Sequence, residues 1–132
     1  MIRRRNPIGR RMQYLVRGNK YGAVKTIFNG RMYDSKGEGR RAADLETLER
    51  AGEIRNLRKQ VTYDLMVNGI TVARYKADFV YEEKLNGKWF DVTEDFKGLM
   101  TDVFRIKRKL MKACHGIDIK ITTAKDLGKI AP

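Results

Sequence analysis

The sequence predicts a mixed α/β domain whose elements run in the order helix, three strands, helix and strand. Two segments carry apolar residues at helical spacing, and the segment between them alternates with a period of two. Two Asn-Gly pairs, at positions 68–69 and 86–87, divide that alternating segment into three strands. The chain has 132 residues, a length typical of one domain with a core of two or three layers.

The first helix is predicted from about Lys36 to Ala51. Ser35 followed by Glu38 is a capping-box pattern, apolar residues then recur at helical spacing, and a glycine follows as a C-terminal stop. In this interpretation Glu38 closes the box by reaching back to the backbone of Ser35. Gly37 and Gly39 weaken a first helical turn, which indicates that another part of the molecule needs close access there.

Three antiparallel strands are predicted from Gln60 onward, where the period changes to two. Their segments are QVTYDLMV, ITVARYKADFVYEE and KWFDVTEDFK, and the Asn-Gly pairs that join them are the strongest short signal for a hairpin. The segment IDIKIT alternates in the same way and is predicted as a last short strand.

The second helix is predicted within TDVFRIKRKLMKACHG, between a cap at Thr101 and a stop at Gly116. Its core-facing stripe is predicted to consist of Val103, Ile106 or Lys107, Leu110, Met111 and Cys114. Cys114 is therefore expected to be a buried, inert thiol.

The composition indicates a packed and strongly basic protein. The net charge is +13, the pI is near 10.1 and 42% of the residues are hydrophobic, so the chain can form a core and attracts polyanions, of which nucleic acid is the commonest. No apolar run approaches the roughly 20 residues that span a bilayer, and no signal-type segment follows the start, so we expect a cytoplasmic protein with no membrane partner. Cys114 and His115 are the only residues of their kinds, which excludes a Cys/His zinc cage and a histidine-pair metal nuclease.

The beginning of the chain is predicted to be a basic arm, residues 1–19, followed by one domain over residues 20–132. From Met1 to Tyr33 there are nine Lys or Arg residues and no acid. Such a segment attracts phosphate, which favours an accessory role in nucleic-acid binding over a merely solvated tail.

The hairpin around Asn86-Gly87 predicts which residues face each other. If these two residues form the loop, Leu85 faces Lys88, and counting back pair by pair places Asp78 opposite Asp95. The Cβ atoms of the two acids are then about 5 Å apart. Facing carboxylates are destabilising unless a cation intervenes, and oxygen-only ligands of this kind suit Mg²⁺ or Mn²⁺.

Lys97 is predicted to lie on the same face as the two acids, about 7 Å further along the strand. The residues that alternate with them, Val92, Glu94 and Phe96, point to the other face. In the same register Lys76 falls opposite Lys97, so the alternative is a neutral patch of diagonal salt bridges that needs no metal.

The motif Asp78 followed by Asp95-Phe96-Lys97, preceded by a helix with Glu38, resembles the PD-(D/E)XK nuclease superfamily. The blocks KYGAVKTIFNGRMYDSKGEGRRAADLETLERAGEI, YKADFVY and EDFKGLMTDVFRIKRKL are similar to a family of small phage-encoded proteins with this core, described as unknown in function or as Holliday junction resolvase-like. The resemblance covers about Lys20 to Thr122. Ala77 stands where the superfamily name has proline, and Asp95 where resolvases more often carry glutamate.

The resemblance implies a restriction-endonuclease-like core with a mixed sheet and a metal-dependent endonuclease activity. Asp78 and Asp95 would ligate Mg²⁺, for which Mn²⁺ substitutes, and Glu38 would hold a second ion or a water of the first. Lys97 would orient or deprotonate the attacking water and neutralise charge on the phosphorane. In-line attack would leave a 5′-phosphate and a 3′-hydroxyl. Gln60, at the start of the first predicted strand, is a weaker candidate for a residue of this site.

The DNA contacts are predicted from the basic residues around this motif. Nothing in the sequence resembles a base-reading module, so recognition of shape and charge in branched DNA is favoured. Resolvases of this fold are homodimers active in DNA recombination, so the resemblance also implies a homodimer. The residues predicted to contact DNA are Ser35, Arg10, Arg11, Arg40, Arg41, Arg105, Lys107 and Arg108.

Two alternative functions remain open from the sequence. One is an endonuclease of the same fold that nicks or cuts duplex DNA whatever its structure. The other is a non-catalytic basic protein that binds nucleic acid and uses the acids as salt-bridge partners.

Overall fold

A short two-stranded sheet opens the part of the chain that the computed structural model describes, which comprises residues 26–28, 31–33 and 35–128. Strand β1 (Thr26–Phe28) pairs antiparallel with β2 (Arg31–Tyr33). The sequence predicts no element here, because each strand is only three residues long and lies among basic residues. The predicted arm, residues 1–19, lies outside the described residues.

Helix α1 (Lys36–Arg50) confirms the predicted helix to within one residue. The hydroxyl of Ser35 accepts a hydrogen bond from the Glu38 backbone N–H at 3.1 Å, as an N-cap does. Gly37 explains part of the glycine pattern, because a Cβ atom at this position would clash with the ring of Phe96. The predicted need for close access to the first turn is therefore confirmed at Gly37.

The main sheet has the order β3-β4-β5-β6 and is mixed. Its strands are β3 (Ile54–Val67), β4 (Ile70–Leu85), β5 (Lys88–Phe96) and β6 (Ile119–Thr122). The first three are antiparallel neighbours, and β6 pairs parallel with β5. The predicted order of helix, three strands, helix and strand is thus confirmed.

Both predicted hairpins are present with the turn chemistry that Asn-Gly requires. Asn68 and Gly69 have φ values of 51° and 79°, and Asn86 and Gly87 have values of 52° and 77°. Positive φ at both loop residues is the type I′ conformation, which matches the twist of the strands. Strand β3 nevertheless begins six residues before the predicted start. The sequence does not reveal this part of the strand, because IRNLRK does not alternate between apolar and polar residues.

Helix α2 (Asp102–His115) lies between the predicted cap and stop, and its buried stripe differs from the prediction only near its start. Thr101 caps it, and Gly116 ends it with a φ of 69°. Val103 and Ile106 are 62% and 59% exposed, whereas Phe104 is buried. Met111 is buried, and Leu110 and Cys114 pack against the same cluster, as predicted, so the correction concerns Phe104 in place of Val103.

The helices cover opposite faces of the sheet. The cluster on the α2 face comprises Leu65, Tyr75, Ala77, Val80, Phe104, Met111 and Ile119. The cluster on the α1 face comprises Ala42, Leu45, Ile54, Phe79 and Tyr81. Cys114 is partly buried beside the first cluster, and its thiol donates to the Met66 carbonyl at 3.2 Å. In the described part of the chain, no helix has the length and apolar character needed to cross a membrane.

Candidate functional site

Asp78 and Asp95 meet on the α2 face of the sheet, as the hairpin register predicts. The β4–β5 pairing runs without a shift from Leu85–Lys88 to Phe79–Glu94, and the next residues along the two strands are Asp78 and Asp95. Both side chains line the same pocket, and a hydrogen bond and the charge of Asp95 raise the pKa of the Asp78 carboxyl. One oxygen of Asp78, Oδ2, also accepts the backbone N–H of Phe96 at 2.9 Å.

The environment of Asp78 favours its protonated form. Burial raises the pKa of the Asp78 carboxyl far above its usual range, and the hydrogen bond and negative charge of Asp95 raise it further. The charge of Glu38 acts in the same direction, so this side chain lies within electrostatic reach of the pair. The Phe96 N–H opposes these effects only in part. A proton or a cation is thus required between the carboxylates.

Asp95 is held by a donor at each of its oxygens. The Tyr75 hydroxyl donates to Oδ2 at 2.6 Å, and the Lys97 ammonium lies 3.2 Å from Oδ1. The same ammonium lies 4.2 Å from the ring centroid of Phe104, a cation–π distance. The alternative interpretation, a neutral patch of salt bridges on this face, is thus realised in part through the ion pair of Lys97 with Asp95. Lys76 forms no ion pair with any residue that the structure describes.

Glu38 reaches the site from the first turn of α1. Its carboxylate accepts a hydrogen bond from the side-chain amide of Gln60 at 2.9 Å, so the side chain is directed to the site, whereas the N-cap bond at this end of the helix is the one that the Ser35 hydroxyl makes. Gln60 lies within β3 with a φ of 56°, a rare conformation for a residue other than glycine. The weaker candidate of the sequence analysis therefore belongs to the site.

The strand that carries Asp78 changes the face of its side chains at this point. Tyr75, Ala77 and Val80 all join the α2-side cluster, which strict alternation does not allow, whereas Phe79 joins the α1-side cluster. The change occurs opposite Gln60, between the pairs Lys59–Phe79 and Val61–Ala77, which share one register. The register shifts between β3 and β4 lie elsewhere, between Arg55 and Arg58 and between Leu65 and Met66.

The two acids form the floor of an open pocket with a volume of about 310 Å³. Three lysines line it, Lys97 beside Asp95, Lys76 from β4 and Lys107 from α2, together with Gln60 and Thr101. A negative floor with a positive rim is suited to hold a phosphate whose charge is shared between a bound cation and the lysines.

The other face of β5 carries a separate buried network. Glu94 accepts two hydrogen bonds from the Arg41 guanidinium, at 2.6 and 2.9 Å, one from the Tyr81 hydroxyl at 2.6 Å and one from the Thr122 hydroxyl at 2.9 Å. The structure therefore corrects the prediction that Arg41 contacts DNA, because its guanidinium is buried and engaged with Glu94. Alternation correctly separates Glu94 from Asp95.

The other predicted DNA contacts lie at different distances from the acids. Lys107 lines the pocket, Arg40 and Arg108 are exposed, Arg105 pairs with Asp102 at 3.0 Å and Ser35 caps α1. Arg10 and Arg11 lie outside the described residues.

Sequence reasoning missed Tyr75 and Phe104. Tyr75 is three residues before Asp78, so alternation assigns it to the opposite face, and only the local change of face brings the two together. Phe104 lies next to the predicted stripe of α2. An aromatic residue close to a predicted acid pair was the available signal in both cases.

The donors present suit a hard, oxygen-binding cation. The described residues contain no group of three or more His, Cys, Asp or Glu side chains arranged to hold a metal ion, so the fit depends on the Asp78–Asp95 pair. This pair offers only oxygen, is buried and has carboxyl groups in contact, which a dication would stabilise.

The fold and the site together define a mixed α/β protein with a paired-carboxylate pocket on one face of its sheet. The chain belongs to the family described as protein of unknown function (DUF1064), which matches residues 18–127. Searches of the curated proteins and of the solved structures each gave no match.

Proposed function

We propose that this protein is a metal-dependent DNA endonuclease of the PD-(D/E)XK fold that hydrolyses phosphodiesters in branched DNA, as Holliday junction resolvases do. The observation that carries the proposal is the contact between Asp78 and Asp95 beside Lys97, in a pocket rimmed by lysines. The order of elements and the mixed sheet are compatible with this nuclease core.

Mg²⁺ would be held by Asp78 and Asp95, with Glu38 contributing from α1, and Mn²⁺ would substitute for it. When bound, the ion would supply Lewis-acid stabilisation of the charge that develops on the phosphate. Its positive charge would also replace the proton that Asp78 otherwise retains, which explains why two buried acids are placed in contact.

Lys97 would act on the attacking water and on the phosphate. Its ammonium lies 3.2 Å from Asp95 Oδ1, at the pocket, where it would orient the water and stabilise the phosphorane. Lys76 and Lys107 would bind the flanking phosphates. The water oxygen forms the new bond to phosphorus, the bond to O3′ breaks, and a proton passes to O3′, which leaves a 5′-phosphate and a 3′-hydroxyl.

The substrate proposal depends on charge. The net charge of +13 favours long polyanions, and the exposed basic residues of α2 lie on the same helix as the pocket residue Lys107. Branched DNA cut by a homodimer, in phage recombination, is the form of this activity that the family resemblance favours.

The proposal is tested by cleavage of labelled four-way junction and linear duplex, each in Mg²⁺ and in EDTA. We expect the wild-type protein to cut the junction only in Mg²⁺, and Asp95→Asn to lose about 10²-fold or more in rate because it lacks one of the two facing charges. Asp91→Asn is the matched control, since Asp91 is an exposed acid of the same strand. It should cut at the wild-type rate.

Each other outcome points to a different function. Equal cleavage of the junction and the duplex would replace the resolvase by a structure-independent endonuclease. DNA binding without cleavage by any variant would leave a non-catalytic binding protein, an alternative that the ion pair between Lys97 and Asp95 favours.

A further inference from the structure

We propose that Tyr75 is a positioning residue whose hydroxyl fixes the Asp95 carboxylate, so that Oδ1 faces Lys97 and the pocket. This inference depends on the proposed function, because it concerns how the chain prepares Asp95 to hold a cation.

The Tyr75 hydroxyl is placed to hold one oxygen of Asp95. Tyr75 and Asp95 are 3% and 2% exposed, and their hydrogen bond is 2.6 Å long, the length typical of a hydroxyl donating to a carboxylate. With Oδ2 held by this bond and Oδ1 by Lys97, rotation of the carboxylate about its Cβ–Cγ bond is restrained at both ends. Removing either donor would release it.

The Tyr75 ring is itself held in place by two aromatic neighbours. It stacks on Tyr63 with 6.4 Å between ring centroids, and it packs at 6.2 Å against Phe104. The Phe104 ring also supports the Lys97 ammonium. Both donors to Asp95 therefore contact one aromatic side chain of α2, which makes the site dependent on how that helix docks.

A change of face within β4 puts Tyr75 on the side of the sheet that carries Asp78. In a regular strand, residues 75 and 78 would point to opposite faces of the sheet. The change of face occurs beside Gln60, whose positive φ costs free energy in a residue other than glycine. The change of face brings the Tyr75 hydroxyl to the side of the sheet where it donates to Asp95.

The test compares Tyr75→Phe with Tyr63→Phe in the full-length protein. Each substitution removes one hydroxyl and keeps the ring, but the Tyr63 hydroxyl donates to no side chain that the structure describes. Four quantities are measured: Mn²⁺ affinity by electron paramagnetic resonance, the thermal midpoint of unfolding, and the kcat and the KM of junction cleavage in Mg²⁺.

We expect Tyr75→Phe to weaken Mn²⁺ binding and to lower kcat, each by about 10-fold or more, which is the usual effect of losing a residue that orients a metal ligand. The KM for DNA should stay within about 2-fold of wild type, because the hydroxyl contacts no DNA. Tyr63→Phe should leave all four quantities close to those of wild type.

A double variant separates positioning from a general loss of packing. In an Asp95→Asn background, Tyr75→Phe should weaken Mn²⁺ binding no further, because the group that it positions is already changed. Equal Mn²⁺ affinity and kcat in Tyr75→Phe and Tyr63→Phe would overturn the inference while the nuclease proposal stands. Wild-type Mn²⁺ affinity in Asp95→Asn would overturn both.

Discussion

Asp78 makes the stability of the metal-free protein depend on pH. Its pKa in the folded protein is raised by burial, by Asp95 and by Glu38, whereas the unfolded chain has the ordinary value of 3.8. Above about pH 4 the folded protein therefore keeps a proton that the unfolded chain releases, so the contribution of Asp78 to the free energy of unfolding falls as the pH rises from there through neutrality.

This sign can be checked by urea unfolding in EDTA at several values between about pH 4.5 and about pH 8. The difference in unfolding free energy between the wild type and Asp78→Asn should fall steadily with rising pH, because asparagine does not titrate. The difference between the wild type and Asp91→Asn should stay flat. A flat difference for Asp78→Asn as well would show that Asp78 titrates normally.

The contact between the two acids was predictable, and the tyrosine beside them was not. A two-residue Asn-Gly loop fixes the hairpin register, so Asp78 and Asp95 follow from counting. Tyr75 depends on a change of face within β4, opposite the positive φ of Gln60 on the neighbouring strand, and no local pattern of the sequence encodes that change.

At the scale of elements, the buried pair of Arg41 and Glu94 fixes α1 to β5, and with it the position of Glu38. Glu94 is fully buried and takes four hydrogen bonds, two of them from Arg41. Arg41→Met would leave the carboxylate buried without its counter-ion, so we expect a loss of about 3–5 kcal/mol in the free energy of unfolding, measured with urea.

Two further variants control this prediction. Arg50→Met, at an exposed position of the same helix, should change stability by less than about 0.5 kcal/mol. The double variant Arg41→Met/Glu94→Gln should recover part of the loss, because the buried charge is removed. A single Arg41→Met variant as stable as Arg50→Met would mean that the pair contributes nothing to docking.

The ends of both helices were readable from the sequence because caps are local. Ser35, Thr101 and Gly116 act as predicted. Most of the face that α2 buries was readable too, since Leu110, Met111 and Cys114 pack as predicted. In the first turn Val103 and Phe104 are both apolar, and the sheet that selects Phe104 is made by distant parts of the chain.

For the molecule as a whole, the excess of positive charge predicts DNA binding that weakens with salt. Lys107 and Arg108 lie on α2, at or near the pocket, and neither forms an ion pair with the described residues. If both contact phosphates, the double variant Lys107→Ala/Arg108→Ala should lower the slope of log K against log salt by about 2, measured by fluorescence anisotropy in EDTA.

Lys112→Ala is the matched control, because Lys112 lies on the same helix but pairs with Asp118 at 2.8 Å. Its slope should differ from that of the wild type by less than about 1. If the slope of the double variant matched that of this control, DNA would approach the protein from another side.

The connections between the strands also determine the order in which the site is assembled. Strands β3, β4 and β5 are joined by two-residue turns, whereas β6 reaches its parallel place beside β5 only after the chain has passed through α2. Contacts between near neighbours in the chain form faster than distant ones. We therefore expect the hairpin that brings the two acids together to close before Phe104 arrives to support Tyr75 and Lys97, so the two donors to Asp95 are brought near it before they are fixed in place.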